Sequence, residues 1–235
     1  MKNAYIFCKS FELNKNKIEK IKPEFENRGT DTGKIYIAAD AGLETIKKFD
    51  IIPDVIVGDF DSVNPAFFDY YKNLKDGIKI IRHPTQKDDT DSMLSVKYAL
   101  EHGYANITII GGIGGRIDHT LVNLFCLKYI KNNGGKGCIT DGNNRISYVS
   151  NSRTRIYKNK NYKYISIIPV SPELRGVTLS GFFYSLKNGA VRLEEPYTVC
   201  NEILEDCEYG EIEIADGDAL ICECCDENTE YIFKI

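Results

Sequence analysis

Residues 107–124 read ITIIGGIGGRIDHTLVNL. The β-branched run Ile107–Ile110 suits a strand buried on both faces of a sheet. Four glycines and Arg116 follow, and apolar residues then return at helical spacing from Ile117. A strand that passes through a glycine turn into a helix is half of a strand–helix–strand unit. The same alternation recurs on both sides. Strands are expected at Ala4–Cys8, Ile35–Ala39, Asp54–Val57, Ile78–Ile81, Ile107–Ile110 and Gly137–Thr140. Helices are expected at Gly42–Phe49, Pro65–Asn73, Thr90–His102 and Ile117–Asn132. Met93, Val96 and Leu100 set the rhythm of the third helix, which Gly103 stops; Ile117, Leu121, Leu124 and Lys128 set that of the fourth. Such alternation predicts an α/β fold, a doubly wound, mostly parallel sheet with right-handed crossovers.

After about Asn151 the helical period fades. Short β-rich runs follow at Tyr164–Pro169, Gly176–Thr178, Glu211–Ile214, Ala219–Cys222 and Tyr231–Ile235, separated by turn signals such as KNG at 187–189 and ADGD at 215–218. Short strands with close turns predict a smaller all-β sandwich. Two domains are expected, 1–145 and 155–235, parted by the polar stretch NSRTRIYKNKN at 151–161.

Composition narrows the function. A net charge of −4 and the lack of a long basic run argue against a nucleic-acid partner. No run of about 18 apolar residues suggests a membrane span. MKNAYIFCKS is too short in apolar residues for a signal peptide and reads as the first strand, so a cytoplasmic location is expected. Eight cysteines are present, three of them in ICECCD at 221–226. Their spacing lacks the second pair that a zinc site uses, so they read as reduced structural thiols.

In an open parallel sheet, ligands bind beyond the carboxyl ends of the strands. The acids fall there. Asp40 ends IYIAAD, Asp59 and Asp61 follow VIVG, and Asp88, Asp89 and Asp91 follow IKIIRHP and open a helix. Any one of them is explained as a turn residue or a helix cap. Three clusters at one edge of one sheet predict a site instead. Carboxylates without a His or Cys cluster suit Mg²⁺, which shares its shell between a few carboxylates and substrate phosphates. The glycine turn fits that substrate, because glycines let backbone N–H groups approach a phosphate at a helix N-terminus. Arg116 adds a planar donor. The turn is neither a P-loop nor a full G-x-G-x-x-G, since Ile117 takes the last position. His119, in a first helical turn, reads as a local hydrogen-bonding residue ahead of a general base.

AADAG, GDFDS, KDDTD and GGRIDHTLVNL, in that order, resemble the thiamine pyrophosphokinase family, and the likeness continues more loosely through LSGFFYSL and CNEI. The resemblance implies a homodimer in which domain 1–145 binds ATP and Mg²⁺ and domain 155–235 binds thiamine. It implies transfer of the terminal pyrophosphate of ATP to the thiamine hydroxyl, with AMP released. Asp59, Asp61, Asp88 and Asp91 would hold the metal, with Asp40 completing the acidic site. Gly114, Arg116 and Asp118 would line the nucleotide, and Ser180, Gly181, Tyr184 and Asn201 would meet thiamine. Phe182, Phe183 and Cys200 depart from the family pattern. Tyr184 also reads as a core aromatic of the sandwich. Two other functions stay open. DFD is a D-x-D, as in metal-dependent glycosyltransferases, and a non-catalytic nucleotide- or thiamine-binding module would use the same residues.

Overall fold

Six strands build the first unit: β1 (Asn3–Phe7), β2 (Lys34–Ala39), β3 (Val55–Gly58), β4 (Lys79–Arg82), β5 (Asn106–Ile110) and β6 (Lys136–Thr140). Every pairing among them is parallel, in the order β4-β3-β2-β1-β5-β6. The computed structural model describes residues 2–10, 12–22, 25, 33–61, 63–74, 77–84 and 88–226. It divides into two units, 1–142 and 143–235.

Helices α1 (Lys15–Ile21), α2 (Gly42–Lys47), α3 (Pro65–Leu74), α4 (Asp91–Glu101) and α5 (Ile117–Asn132) link the strands. The central strands are buried on both faces, as their apolar runs require: Ile6, Ile37, Ile56 and Ile109 are fully enclosed. An aromatic cluster fills one side of the sheet, with Tyr5 stacked on Tyr36 at 5.5 Å and Phe49 edge-on to Phe7 and Phe25. Gly42 lets α2 lie against β1, since a Cβ there would sit 1.8 Å from the Phe7 carbonyl oxygen. No helix among the described residues is long and apolar enough to cross a membrane.

Two features of this unit differ from the sequence reading. Helix α1 is an unexpected element; its lysine-rich sequence hides the apolar period, while Asn14 caps it by accepting from the Lys17 N–H at 3.0 Å. In α5 the Ile117–Leu121–Leu124–Lys128 row does not face the core. The buried face is Asn123, Cys126, Leu127 and Ile130, and Ile117 and Leu121 are exposed.

The second unit contains two antiparallel sheets. β7 (Asn144–Ser150) and β9 (Tyr164–Pro169) flank β13 (Asp218–Cys224) in one. The other runs β11 (Leu186–Arg192), β10 (Glu173–Ser180), β12 (Tyr209–Glu213), β8 (Arg153–Tyr157). Ile165, Ile167 and Ile221 from the first sheet meet Ile156, Leu179, Val191 and Ile212 from the second in one core, which makes the unit a sandwich. The polar stretch at 151–161 carries strand β8 rather than a linker. Its Arg153 and Arg155 face outward onto Glu211 of β12, which conceals the alternation that buries Ile156. KNG at 187–189 lies inside β11, where Asn188 takes a left-handed φ of 50° within an irregular register. The strand expected at Tyr231–Ile235 lies outside the described residues.

Candidate functional site

The strand order of the first unit reverses between β1 and β5. In open α/β sheets that switch point opens a crevice at the carboxyl ends of the strands. A cavity of about 310 Å³ lies there. Cys8 and Lys9 reach it from the end of β1, Asp40 from the end of β2, Thr90 and Asp91 from the start of α4. Gly112, Gly114, Arg116 and His119 reach it from the β5–α5 turn.

The acidic loops converge electrostatically. The Asp61 carboxyl, though exposed, is held above its ordinary value, first by its hydrogen bond with Asp59, then by slight desolvation, then by the charges of Asp59, Asp40 and Asp91. Asp59 and Asp61 are set by a local turn: the Asp61 N–H donates to Asp59 Oδ1 at 3.2 Å. Phe60 between them adopts a left-handed φ of 68°, which a bulky residue rarely takes. Its ring packs on Phe68 at 4.7 Å and lies under the Arg82 guanidinium. Asp40 is left-handed as well, at φ 47°, its N–H bonded to the Val57 carbonyl of β3. Backbone departures of this kind collect at functional sites.

Of the predicted acids only Asp40 and Asp91 line the cavity; Asp59, Asp61 and Asp88 do not, and Asp61 and Asp88 are exposed. Asp89 is engaged by Lys97 at 2.5 Å. Among the described residues, no three His, Cys, Asp or Glu side chains form a protein-only metal cage. Arg116 and Asp118 are exposed and pair with each other, Nη2 to Oδ2 at 2.5 Å; this pairing lowers the Asp118 carboxyl to about 2. The Gly114 N–H donates to Thr120 Oγ1 at 3.1 Å, and the His119 N–H donates to Asp118 Oδ1. The start of α5 is therefore a ring of self-paired donors at the cavity mouth.

The second unit holds a smaller pocket, about 60 Å³, lined by Tyr184, Tyr197, Thr198, Val199 and Asn201 among others. Tyr184 is 64% exposed, so it is not the core aromatic that the strand pattern also allowed. Phe183 stands edge-on to it at 5.0 Å. Asn201 is buried and wholly engaged. Its Nδ2 donates to the Tyr184 carbonyl at 2.8 Å, and its Oδ1 accepts from the Tyr184 and Glu202 N–H groups. Asn201 thus fixes the backbone beneath the Tyr184 ring. Ser180, at the end of β10, is exposed, and Gly181 is left-handed, where a Cβ would meet the Tyr209 carbonyl oxygen.

Sequence reasoning missed Lys9, Ser92 and Asn123 in the first cavity. The carboxyl-end rule applied to β1 would have found Lys9. Asn123, a lone amide among apolar helix positions, was the signal for the other two.

A switch-point cavity with carboxylates and a glycine turn at a helix start, joined in one chain to a β-sandwich with an aromatic pocket, has the architecture of an α/β protein that takes an anionic ligand at its strand ends. Comparison with known proteins narrows the class. Residues 27–139 match the catalytic domain of thiamin pyrophosphokinase, and residues 153–217 match its vitamin B1 binding domain. The chain is 34% identical over 176 residues to the thiamine pyrophosphokinase of Bacillus subtilis (strain 168), covering 74% of this chain and 81% of the relative. It is 28% identical over 181 residues to thiamin pyrophosphokinase 1 of Caenorhabditis elegans, covering 72% of each. The crystal structure of Bacillus subtilis thiamine pyrophosphokinase superposes with a TM-score of 0.84 and 28% identity, over 96% of this chain and all of the other. The chain belongs to the thiamine pyrophosphokinase family.

Proposed function

We propose that this chain is a thiamine diphosphokinase, transferring the terminal pyrophosphate of ATP to the hydroxyl of thiamine and releasing AMP. The observation that carries the reading is the switch-point cavity lined by Asp40 and Asp91, with Asp59 and Asp61 on the turn that follows β3 close enough for their charges to act on one another. Repelling carboxylates in one place favour a cation. An all-oxygen set without His or Cys suits Mg²⁺, which takes one or two carboxylates, waters and substrate phosphates instead of a complete protein cage. The donor set therefore fits the metal. One or two of Asp59, Asp61 and Asp91 would hold it, with Asp40 adding charge and Asp88 standing exposed outside the cavity. Bound there, Mg²⁺ neutralises phosphate charge.

This chain's residues do the rest. Arg116 exchanges Asp118 for phosphate oxygens, a trade of one bidentate partner for another. Gly114 and the start of α5 line the polyphosphate. The thiamine hydroxyl oxygen bonds to the β-phosphorus as the bond from that phosphorus to the α-phosphate oxygen breaks, and AMP leaves with the electron pair. The hydroxyl proton passes to a carboxylate. Asp61 or Asp91 would take it, whichever is left off the metal. Tyr184, its backbone held by Asn201, offers an exposed ring to the cationic thiazolium.

A homodimer has apolar surface to use, since Ile117, Leu121 and Phe125 lie exposed along α5. The eight cysteines, none of them in a disulfide, suit a reducing cytoplasm.

The test is a product assay with ATP, Mg²⁺ and thiamine. AMP and thiamine diphosphate in equal amounts are expected. ADP would mean single-phosphate transfer and a different enzyme, and no thiamine-dependent product would leave only a binding module.

A further inference from the structure

We propose that Asn123 is a positioning residue: its buried carboxamide ties the glycine turn to the acidic turn that opens α4, so that both address one polyphosphate. This inference rests on the reading above. Asn123 stands on the core face of α5, beside Cys126, Leu127 and Ile130, and is more than nine-tenths buried. A polar side chain in such a place is costly unless both its poles are satisfied. Both are. Nδ2 donates to the Gly112 carbonyl at 2.8 Å, and Oδ1 accepts from the Ser92 hydroxyl at 2.6 Å. Ser92 Oγ lies 3.0 Å from Thr90 Oγ1, and Thr90 caps α4 by accepting the Met93 N–H. Asp91 sits between the two hydroxyl residues.

The bridge joins two separate walls of the cavity, since Thr90, Asp91, Ser92, Gly112 and Asn123 all line it. The Gly112 N–H also donates to the Lys9 carbonyl at 3.0 Å, so this turn is pinned at both backbone poles. The fit is close. Gly112 has a left-handed φ of 74°, and a Cβ there would come within 2.8 Å of Asn123 Nδ2. An apolar residue at 123 would fill the core equally well. What it would lose is the fixed spacing between the turn bearing Asp91 and the turn leading to Gly114 and Arg116. Phosphoryl-type transfer depends on such spacing, because catalysis there is chiefly positioning and charge neutralisation.

The test measures binding of the non-cleavable analogue α,β-methylene-ATP with Mg²⁺, by calorimetry, to the wild type, Ser92→Ala, Asn123→Ala and the double variant. Thiamine KM and thermal midpoint are measured beside it. Ser92→Ala, which removes one buried hydrogen bond, is expected to weaken the nucleotide about tenfold, and Asn123→Ala, which removes two, at least as much. The double variant should be no worse than the poorer single, and thiamine KM should change less than about twofold, because neither residue lines the pocket that carries Tyr184. Should Asn123→Ala fail to fold, Ser92→Ala, which leaves the bond to Gly112 intact, carries the test alone. Wild-type nucleotide affinity in Ser92→Ala, additive losses in the double variant, or nucleotide and thiamine constants moving together would overturn the proposal. A wild type that binds the analogue yet releases no thiamine-dependent AMP overturns the proposed reaction and leaves this test readable; one that binds no nucleotide overturns both.

Discussion

The cavity of the first unit and the aromatic pocket of the second are built on opposite principles. In the first, charged groups that repel one another stand at strand ends, and the backbone bends into left-handed turns at Asp40 and Phe60 to present them. In the second, an apolar ring is left 64% exposed, and a buried amide beneath it satisfies the backbone. The first place stores unfavourable charge that an incoming cation and anion relieve together. The second stores unfavourable apolar exposure that a flat ligand relieves. A reaction between a polyphosphate and a cationic heterocycle needs both.

The largest effect expected from breaking this contrast is at Asp59. Asp59→Asn removes a charge and keeps the shape, so AMP-forming turnover should fall by two or more orders of magnitude. The thermal midpoint should hold or rise, because the repulsion on Asp61 is reduced. Unchanged turnover would remove the acidic cluster from the mechanism.

Asn201→Ala comes next. It leaves the Tyr184 carbonyl and two N–H groups without their buried partner. A rise of about tenfold or more in thiamine KM is expected, with ATP KM little changed. Equal rises in both constants would show the loss to be one of general folding.

Tyr184→Ala should cost less, about 0.5–2 kcal/mol of cation–π contact. That corresponds to about 2- to 30-fold in thiamine affinity by equilibrium titration. An alanine variant that binds as tightly as the parent would return Tyr184 to a surface role.

The smallest effect concerns pH. Asp61 has a raised carboxyl in the folded chain, so the folded state holds its proton more tightly than the unfolded state. Its contribution to stability is therefore present at acid pH and lost as pH rises through the raised value. Added Mg²⁺ should reverse that loss. A melting series in Mg²⁺ should show a larger upward shift at pH 7 than at pH 4, and the opposite order would contradict the carboxylate assignment.

The two units also differ in how plainly their sequences speak. The parallel sheet was readable because strands buried on both faces are continuous apolar runs and the helices between them have room for a full period. The acids were readable because the carboxyl-end rule turns a position in sequence into a position in space. Helix α1 was not, since KNKIEKI shows only Ile18 and Ile21 on its apolar side. Strands β8 and β11 were hidden for a related reason. Edge strands of a small sandwich carry arginines and lysines outward, so their sequences look like loops. Asn123 and Asn201 share a different obscurity. Each donates to a backbone carbonyl on another segment; Asn123 shows locally as a lone amide among apolar helix positions, but no local pattern names the carbonyl that either amide serves. Asp88 shows the reverse case, a motif residue that the fold leaves exposed while its neighbour Asp89 turns to Lys97.

The account stands on the acidic loops meeting a metal-bound polyphosphate at the end of β1. The most direct measurement is the anomalous scattering of Mn²⁺ in crystals grown with α,β-methylene-ATP and thiamine. A peak in contact with Asp59, Asp61 or Asp91 and with the nucleotide phosphates, with thiamine against the Tyr184 ring, is the predicted result. A metal and nucleotide seated away from those carboxylates would contradict it.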